Sequence, residues 1–321
     1  MGTHDRSSPT ETPSLTLVQQ RTADQLIRGG RRWDAPEDLA EVIAQRLETA
    51  VSVAAIDEPL VLTKARLSDA GRCDGRFEAG LLREAPPFAH STKTASGLLL
   101  HKAVELDVGG RLERDPYELT VLASDRLVDD DAAFGRHWGE LPEVDRDQLL
   151  MRSVTALELF RTTFPPLRSM RTTLAPMTEW RLRAEVSGGR LVLDGRIDLS
   201  LGRPAGPEGR LLLDIKGEGA WPEHAEDLRF YALVHTLRFG VPPSRVASVF
   251  LASGTWQVED VTQRVLDRAI ERIEGAIALA GRLRDGDEPS LRPGRYCAWC
   301  PRVQRWPAAA RAAEPAVPAA G

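Results

Sequence analysis

Lysine is scarce: of 42 basic residues only four are lysine, at Lys64, Lys93, Lys102 and Lys216. A chain that uses arginine wherever either residue serves keeps lysine where a compact ammonium is needed. Arginine is planar and always charged, and cannot replace it there. Cysteine is also rare. Three residues, an odd number, argue against a disulfide framework. No apolar run approaches the roughly eighteen residues of a membrane span, so no membrane association is expected. The N-terminus is rich in Ser, Thr, Pro and acids and has no apolar stretch of a secretory signal. A cytoplasmic location is expected by default. An excess of positive charge is missing too, the net charge being −5. That excludes a uniformly basic nucleic-acid binder but leaves room for a local positive groove beside an acidic site.

The chain has 321 residues, enough to bury a full hydrophobic core. Residues 1–35 are expected to form a disordered tail, polar at its start. Leu39, Val42, Ile43 and Leu47 recur at helical spacing, which predicts a helix over 36–50. Residues 51–62 read as irregular or extended. Further helices are predicted over 64–72, 95–107 and 144–163, the last stopped by Pro165 and Pro166. The period then changes. Strands are predicted over 179–186, 190–199 and 210–215, with turns at 187–189 and 204–209. A helix over 223–239, a strand over 246–252 and a helix over 258–284 follow. The order from residue 177 is β-β-β-α-β-α, an α/β core with helices on the faces of a sheet. Residues 36–170 form a mostly helical part, 171–306 the core, and 307–321 an Ala/Pro-rich tail.

Leu193-Asp194-Gly195-Arg196-Ile197-Asp198 ends one of these strands and Asp214-Ile215-Lys216 ends the next. Asp214 and Lys216 are two apart, so they share a strand face. Carboxylates at such strand ends can hold magnesium, which takes oxygen ligands. A nearby ammonium can position water or neutralise charge developing on phosphorus. The backbone carbonyl of Ile215 is a further candidate ligand. Asp-x-Lys by itself also occurs at ordinary strand ends.

Gly195-Arg196-Ile197-Asp198 followed by Leu211-Leu212-Leu213-Asp214-Ile215-Lys216 resembles the core motif of PD-(D/E)XK nucleases. The likeness is to the RecB-like branch, which includes CRISPR-associated exonucleases. Gly97-Leu98-Leu99-Leu100-His101 is similar to the family's upstream Gly-x-x-x-His helix. Asp227-Leu228-Arg229-Phe230-Tyr231 is similar to its Gln-x-x-x-Tyr helix, with Asp in place of Gln. The resemblance implies a restriction-endonuclease-like fold with a mixed central sheet. It also implies a magnesium or manganese ion held by His101, Asp198, Asp214 and the Ile215 carbonyl. Asp198, Asp214 and Lys216 would be catalytic, with Tyr231, Asp227 and Glu179 in support. Ionised Asp227 can only accept hydrogen bonds, which weakens the case for a phosphate contact there.

Branch members with an iron–sulfur cluster use one upstream and three downstream cysteines. Here Cys73, Cys297 and Cys300 match, but the fourth position is Trp306. A complete cluster is therefore not expected, and the three cysteines read as a degenerate set. The implied function is hydrolysis of DNA phosphodiester bonds in repair, recombination or defence, with a helicase or other repair or defence protein as partner. The alternative is an assembly or DNA-binding subunit with weak or no catalysis. Two arginine-rich surfaces are candidates for DNA contact. One lies in residues 151–196. The other comprises Arg282, Arg284, Arg292, Arg295, Arg302 and Arg305, interleaved with Trp299 and Trp306.

Overall fold

The computed structural model describes residues 14–84, 88–203, 209–217, 223–303 and 306. In chain order, α1 is Leu17–Arg21, continued by a helical turn over Thr22–Ile27. Then come α2 Leu39–Val53, β1 Leu60–Leu62, α3 Lys64–Arg72, α4 Asp74–Leu81 and α5 Thr92–Gly109. They are followed by α6 Pro116–Asp130, α7 Ala132–Glu140, α8 Glu143–Thr163 and α9 Arg171–Leu174. The second half holds β2 Met177–Val186, β3 Leu191–Gly202, β4 Arg210–Lys216, α10 Glu223–Phe239, β5 Arg245–Phe250, β6 Thr255–Asp260 and α11 Gln263–Arg284. The mixed sheet expected from the sequence is present, with helices on both faces. No helix among the described residues is long and apolar enough to cross a membrane.

Side-chain caps fix the helices that carry the site. The Thr63 hydroxyl accepts from the Arg66 amide at 3.2 Å, so Lys64 begins α3 directly after β1. Ser91 caps α5 by accepting from the Thr94 amide. Each such cap contributes about 1 kcal/mol.

The central strand is β3. One edge pairs antiparallel with β2 along its length. The other edge is shared. β1 runs parallel to Leu191–Leu193, and β4 runs antiparallel to Leu199–Gly202. β5 continues the sheet parallel to β4, and β6 closes it antiparallel to β5. β4 and β5 are buried almost end to end, as apolar runs covered on both faces should be.

Two apolar cores cover the two faces, and both draw residues from either side of residue 170. One gathers Leu47, Phe77, Leu193, Ile197, Leu212 and Tyr231 with α10 and α11. The other gathers Leu99, Phe134, Leu157, Leu199, Leu213 and Ile215 with α5, α6 and α8. Ile197 and Leu199 are two apart yet lie in different cores. Strand alternation therefore reverses between them, at the level of Asp198.

Several expectations are corrected. Residues 17–27 are helical rather than disordered, and Leu26 is fully buried. Arg245 anchors this segment, donating to the carbonyls of Gln25 and Gly29 at 2.8 Å each and to Asp260 at 2.7 Å. Residues 258–260, expected to begin the last helix, instead close strand β6. Helices α6 and α7 lie within the stretch expected to be mostly helical, where no individual helix is predicted, and β1 is the extended piece of 51–62. Residues 204–208 of the expected turn, residues 1–13 and the tail from 307 lie outside the described residues.

A buried histidine makes the fold acid-sensitive. His235 on α10 is 0% exposed, and its Nδ1 meets the Val241 carbonyl at 3.0 Å. Burial first, then the Arg210 guanidinium, pushes its pKa down to about 3. The unfolded chain, with an ordinary pKa of about 6.5, binds that proton more readily. Stability is therefore lost as pH falls from about 6.5 towards about 3, by about 1.4 kcal/mol per unit. Urea titrations at pH 7 and 4.5 check this. His235→Asn, which keeps a donor for Val241, is expected to lose about 2–3 kcal/mol less than wild type over that interval. Equal losses in the two proteins would contradict the assignment.

Candidate active site

The site lies where β3 and β4 part. Their pairing ends at Leu199 and Leu213. Beyond this fork, the Asp198 side chain replaces the missing ladder bond: its Oδ2 accepts the Ile215 N–H at 2.6 Å. That bond fixes Asp198 against the strand carrying Asp214 and Lys216. It also brings Ile215 into the site through its backbone, while the Ile215 side chain sits in the core.

His101 comes from α5, whose Leu99, Leu100, Ala103 and Val104 are buried. Its Nδ1 lies 3.2 Å from Glu179 Oε1 and 3.3 Å from Asp198 Oδ1. Glu179 reaches it from a left-handed backbone conformation, φ 48°, near the start of β2. The residues on either side of Glu179 and Asp198 are register partners, Thr178 with Leu199 and Trp180 with Ile197. The strained residue thus stands opposite Asp198, where alternation reverses. A non-glycine residue held there costs on the order of 1–3 kcal/mol, a cost characteristic of functional sites. Donor atoms of His101, Glu179 and Asp198 lie within 4.8 Å of one another, the one such group among the described residues.

The charges are arranged accordingly. Burial by itself would lower the His101 pKa. The charge and hydrogen bond of Asp198, then those of Glu179, outweigh it and push the pKa up to about 10. Burial likewise opposes the charge on Asp198, but His101, Lys216 and the Ile215 N–H hold its carboxyl below the usual range.

Asp214 stands outside the tight group. Its Oδ2 is 2.9 Å from Lys216 Nζ, and its Oδ1 is 3.9 Å from Lys64 Nζ. Lys64 is thus a second amine at the site, overlooked in the sequence although lysine scarcity singles it out equally. Tyr231 is buried below, with its ring 5.7 Å from Lys64 Nζ. Its hydroxyl meets the Arg196 backbone, and burial first, then Asp198 and Asp214, raises its pKa. Asp227 lies 3.8 Å from Arg272, and one carboxylate oxygen has no hydrogen-bond partner. Burial raises its pKa, against the pull of Lys64 and Arg272. Arg229 does not pair with it but with Glu226 and Glu259.

Cys73, Cys297, Cys300 and Trp306 line one cavity of about 50 Å³. No compact metal-ligand group forms among the three sulfurs, and Trp306 shares their cavity. A Cβ on Gly75 would collide with the Trp306 ring and come within 2.8 Å of Leu291. Glycine at 75 therefore leaves the indole its place.

A family model described as the PD-(D/E)XK nuclease superfamily matches residues 62–305. No curated protein matches the chain. The crystal structure of SSO0001 aligns with 67% of this chain and 97% of that chain, at 15% identity and a TM-score of 0.33. That likeness is too low to bear on the site. The family match spans well over half of the 321 residues and takes in every side chain that meets at the fork of β3 and β4. The chain belongs to the PD-(D/E)XK nuclease superfamily.

Proposed function

We propose that the chain is a metal-dependent nuclease that hydrolyses DNA phosphodiester bonds, of the RecB-like branch, working in repair, recombination or defence. The observation that carries this reading is the convergence of His101, Glu179 and Asp198 beside the Asp214–Lys216 pair. The donor set suits a divalent cation. It offers one imidazole nitrogen and carboxylate oxygens, which magnesium and manganese favour. His101, Glu179 and Asp198 would hold the ion, with Asp214 and the Ile215 carbonyl contributing from the facing strand. A cation there would lower the pKa of water and offset charge on the diester.

The protein's own groups supply the rest. Lys216, steered by Asp214, orients the attacking water and faces the charge that grows on phosphorus. Asp198, locked by the Ile215 N–H, keeps the two strands in register across the fork. Tyr231 supports the strand from beneath. The cysteines belong to a degenerate cluster site in which Trp306 takes the place of the fourth thiolate.

The test is cleavage of single-stranded and duplex DNA with magnesium, with manganese and with EDTA. Cleavage that requires the metal is expected. Folded protein that binds DNA but cuts neither form, with either ion, would instead identify a non-catalytic subunit.

A further inference from the structure

A rung of β2 and β3 near the site carries charges that folding alone would avoid. Arg181 and Arg196 are register partners. Like charges directly opposite each other destabilise a sheet. Asp194 holds Arg181, accepting from it at 3.0 and 2.6 Å, while Arg196 has only the longer pair with Glu179. The Arg196 side chain stays 63% exposed and touches Glu179 at 3.5 Å.

This rung borders an open strand edge. β1 pairs with its edge of β3 only as far as Leu193, and β4 only from Leu199. Between them lies a cleft of about 500 Å³. Arg181, Arg196 and Lys64 line it, against one carboxylate, Asp194. Tyr231 also lines it and crowds the strand so closely that a Cβ on Gly195 would lie 2.5 Å from its ring. The cleft touches the candidate active site twice, through Lys64 beside Asp214 and through Arg196 beside Glu179.

We infer that this cleft is the track along which the phosphodiester backbone of a nucleic-acid strand runs into the active site. Arg181 and Arg196 take phosphates flanking the scissile bond, and Lys64 takes the one nearest Asp214. The inference rests on the nuclease reading and adds to it where the strand lies. It also adds how the strand is held. The cleft offers cations but no exposed aromatic face, Tyr231 being 2% exposed. It therefore grips backbone without reading or stacking bases, and binding is sequence-independent.

The rival arginine surface near the C-terminus is paired within the protein much as Arg181 is with Asp194, and what favours the cleft is its contact with the candidate active site through Lys64 and Arg196. Arg302 is taken by Glu78 and Glu84, and Arg292 by Asp74. Arg282 lies near Asp287, and Arg284 donates to the Glu58 carbonyl. Arg295 and Trp299 remain exposed, and Arg305 lies outside the described residues.

The experiment is fluorescence anisotropy of a labelled single-stranded oligonucleotide, in EDTA, over a series of salt concentrations. Arg181→Ala/Arg196→Ala is expected to raise Kd about tenfold or more. The slope of log affinity against log salt should fall by about 1.4, two contacts at about 0.7 each for single strands. Arg126→Ala removes the same kind of charge from the exposed side of α6 and should change neither. Should the double variant misfold because Asp194 loses its partner, Arg196→Ala alone carries the test, with a slope change of about 0.7. Wild-type affinity and slope in the arginine variants would overturn the inference. So would no binding by wild type, or a loss confined to Arg282→Ala/Arg295→Ala. The readout needs neither metal nor cleavage, so its failure is distinct from failure of the nuclease reading.

Discussion

Lys216→Ala is expected to slow DNA cleavage by about a hundred- to ten-thousand-fold, the range for losing a positioned proton-transfer group or a stabiliser of developing charge. The Lys216 ammonium sits 2.9 Å from Asp214, and Asp214 is buried. The remaining amine, Lys64, is 3.9 Å away on another element, so it can partly balance Asp214 without replacing the lost donor. Lys216→Arg is the sharper variant. It keeps the charge but brings a planar, strongly basic head where a compact one fits. Its rate should stay near that of Lys216→Ala. Single-turnover rates at saturating metal measure both, with circular dichroism confirming the fold. Near wild-type rates in Lys216→Arg would mean that the site needs only a positive charge.

His101→Ala is expected to raise the magnesium or manganese concentration for half-maximal cleavage by about a hundredfold. Loss of an outer partner of a metal ligand costs 10–100-fold, and a direct ligand should cost at least as much. Without the imidazole, Glu179 and Asp198 face each other with like charge. Excess manganese should restore part of the rate, because both carboxylates remain. Metal titrations of initial rate measure this. An unchanged half-maximal concentration would place His101 outside the ligand set.

Much of this site can be read from the sequence because it lies on regular strands. Period-two spacing puts Asp214 and Lys216 on one face, and the apolar run before them gives a strand buried on both sides. The role of Glu179 is harder to read. It depends on a left-handed residue and a reversal of alternation between Ile197 and Leu199, and neither leaves a periodic trace. Reading Glu179 as mere support therefore underestimates how close it comes to His101. Lys64 carries the same scarcity signal as Lys216, but its place depends on β1 pairing with β3 across more than a hundred residues.

The fold-level differences have similar causes. β6 is an edge strand of exposed and half-buried residues, so it shows no buried stripe and merges in sequence with the amphipathic helix after it. The N-terminal helix is held by Arg245, some 220 residues away, which no local pattern reveals. Helix α6 did have a local signal: Asp115 caps it and Pro116 opens it.

The most direct test is a calorimetric titration of manganese into the wild-type protein and into Asp198→Asn, each with a non-cleavable oligonucleotide. The account predicts saturable uptake by wild type at a site that Asp198→Asn loses. No uptake by folded wild-type protein, or undiminished uptake by the variant, would contradict it.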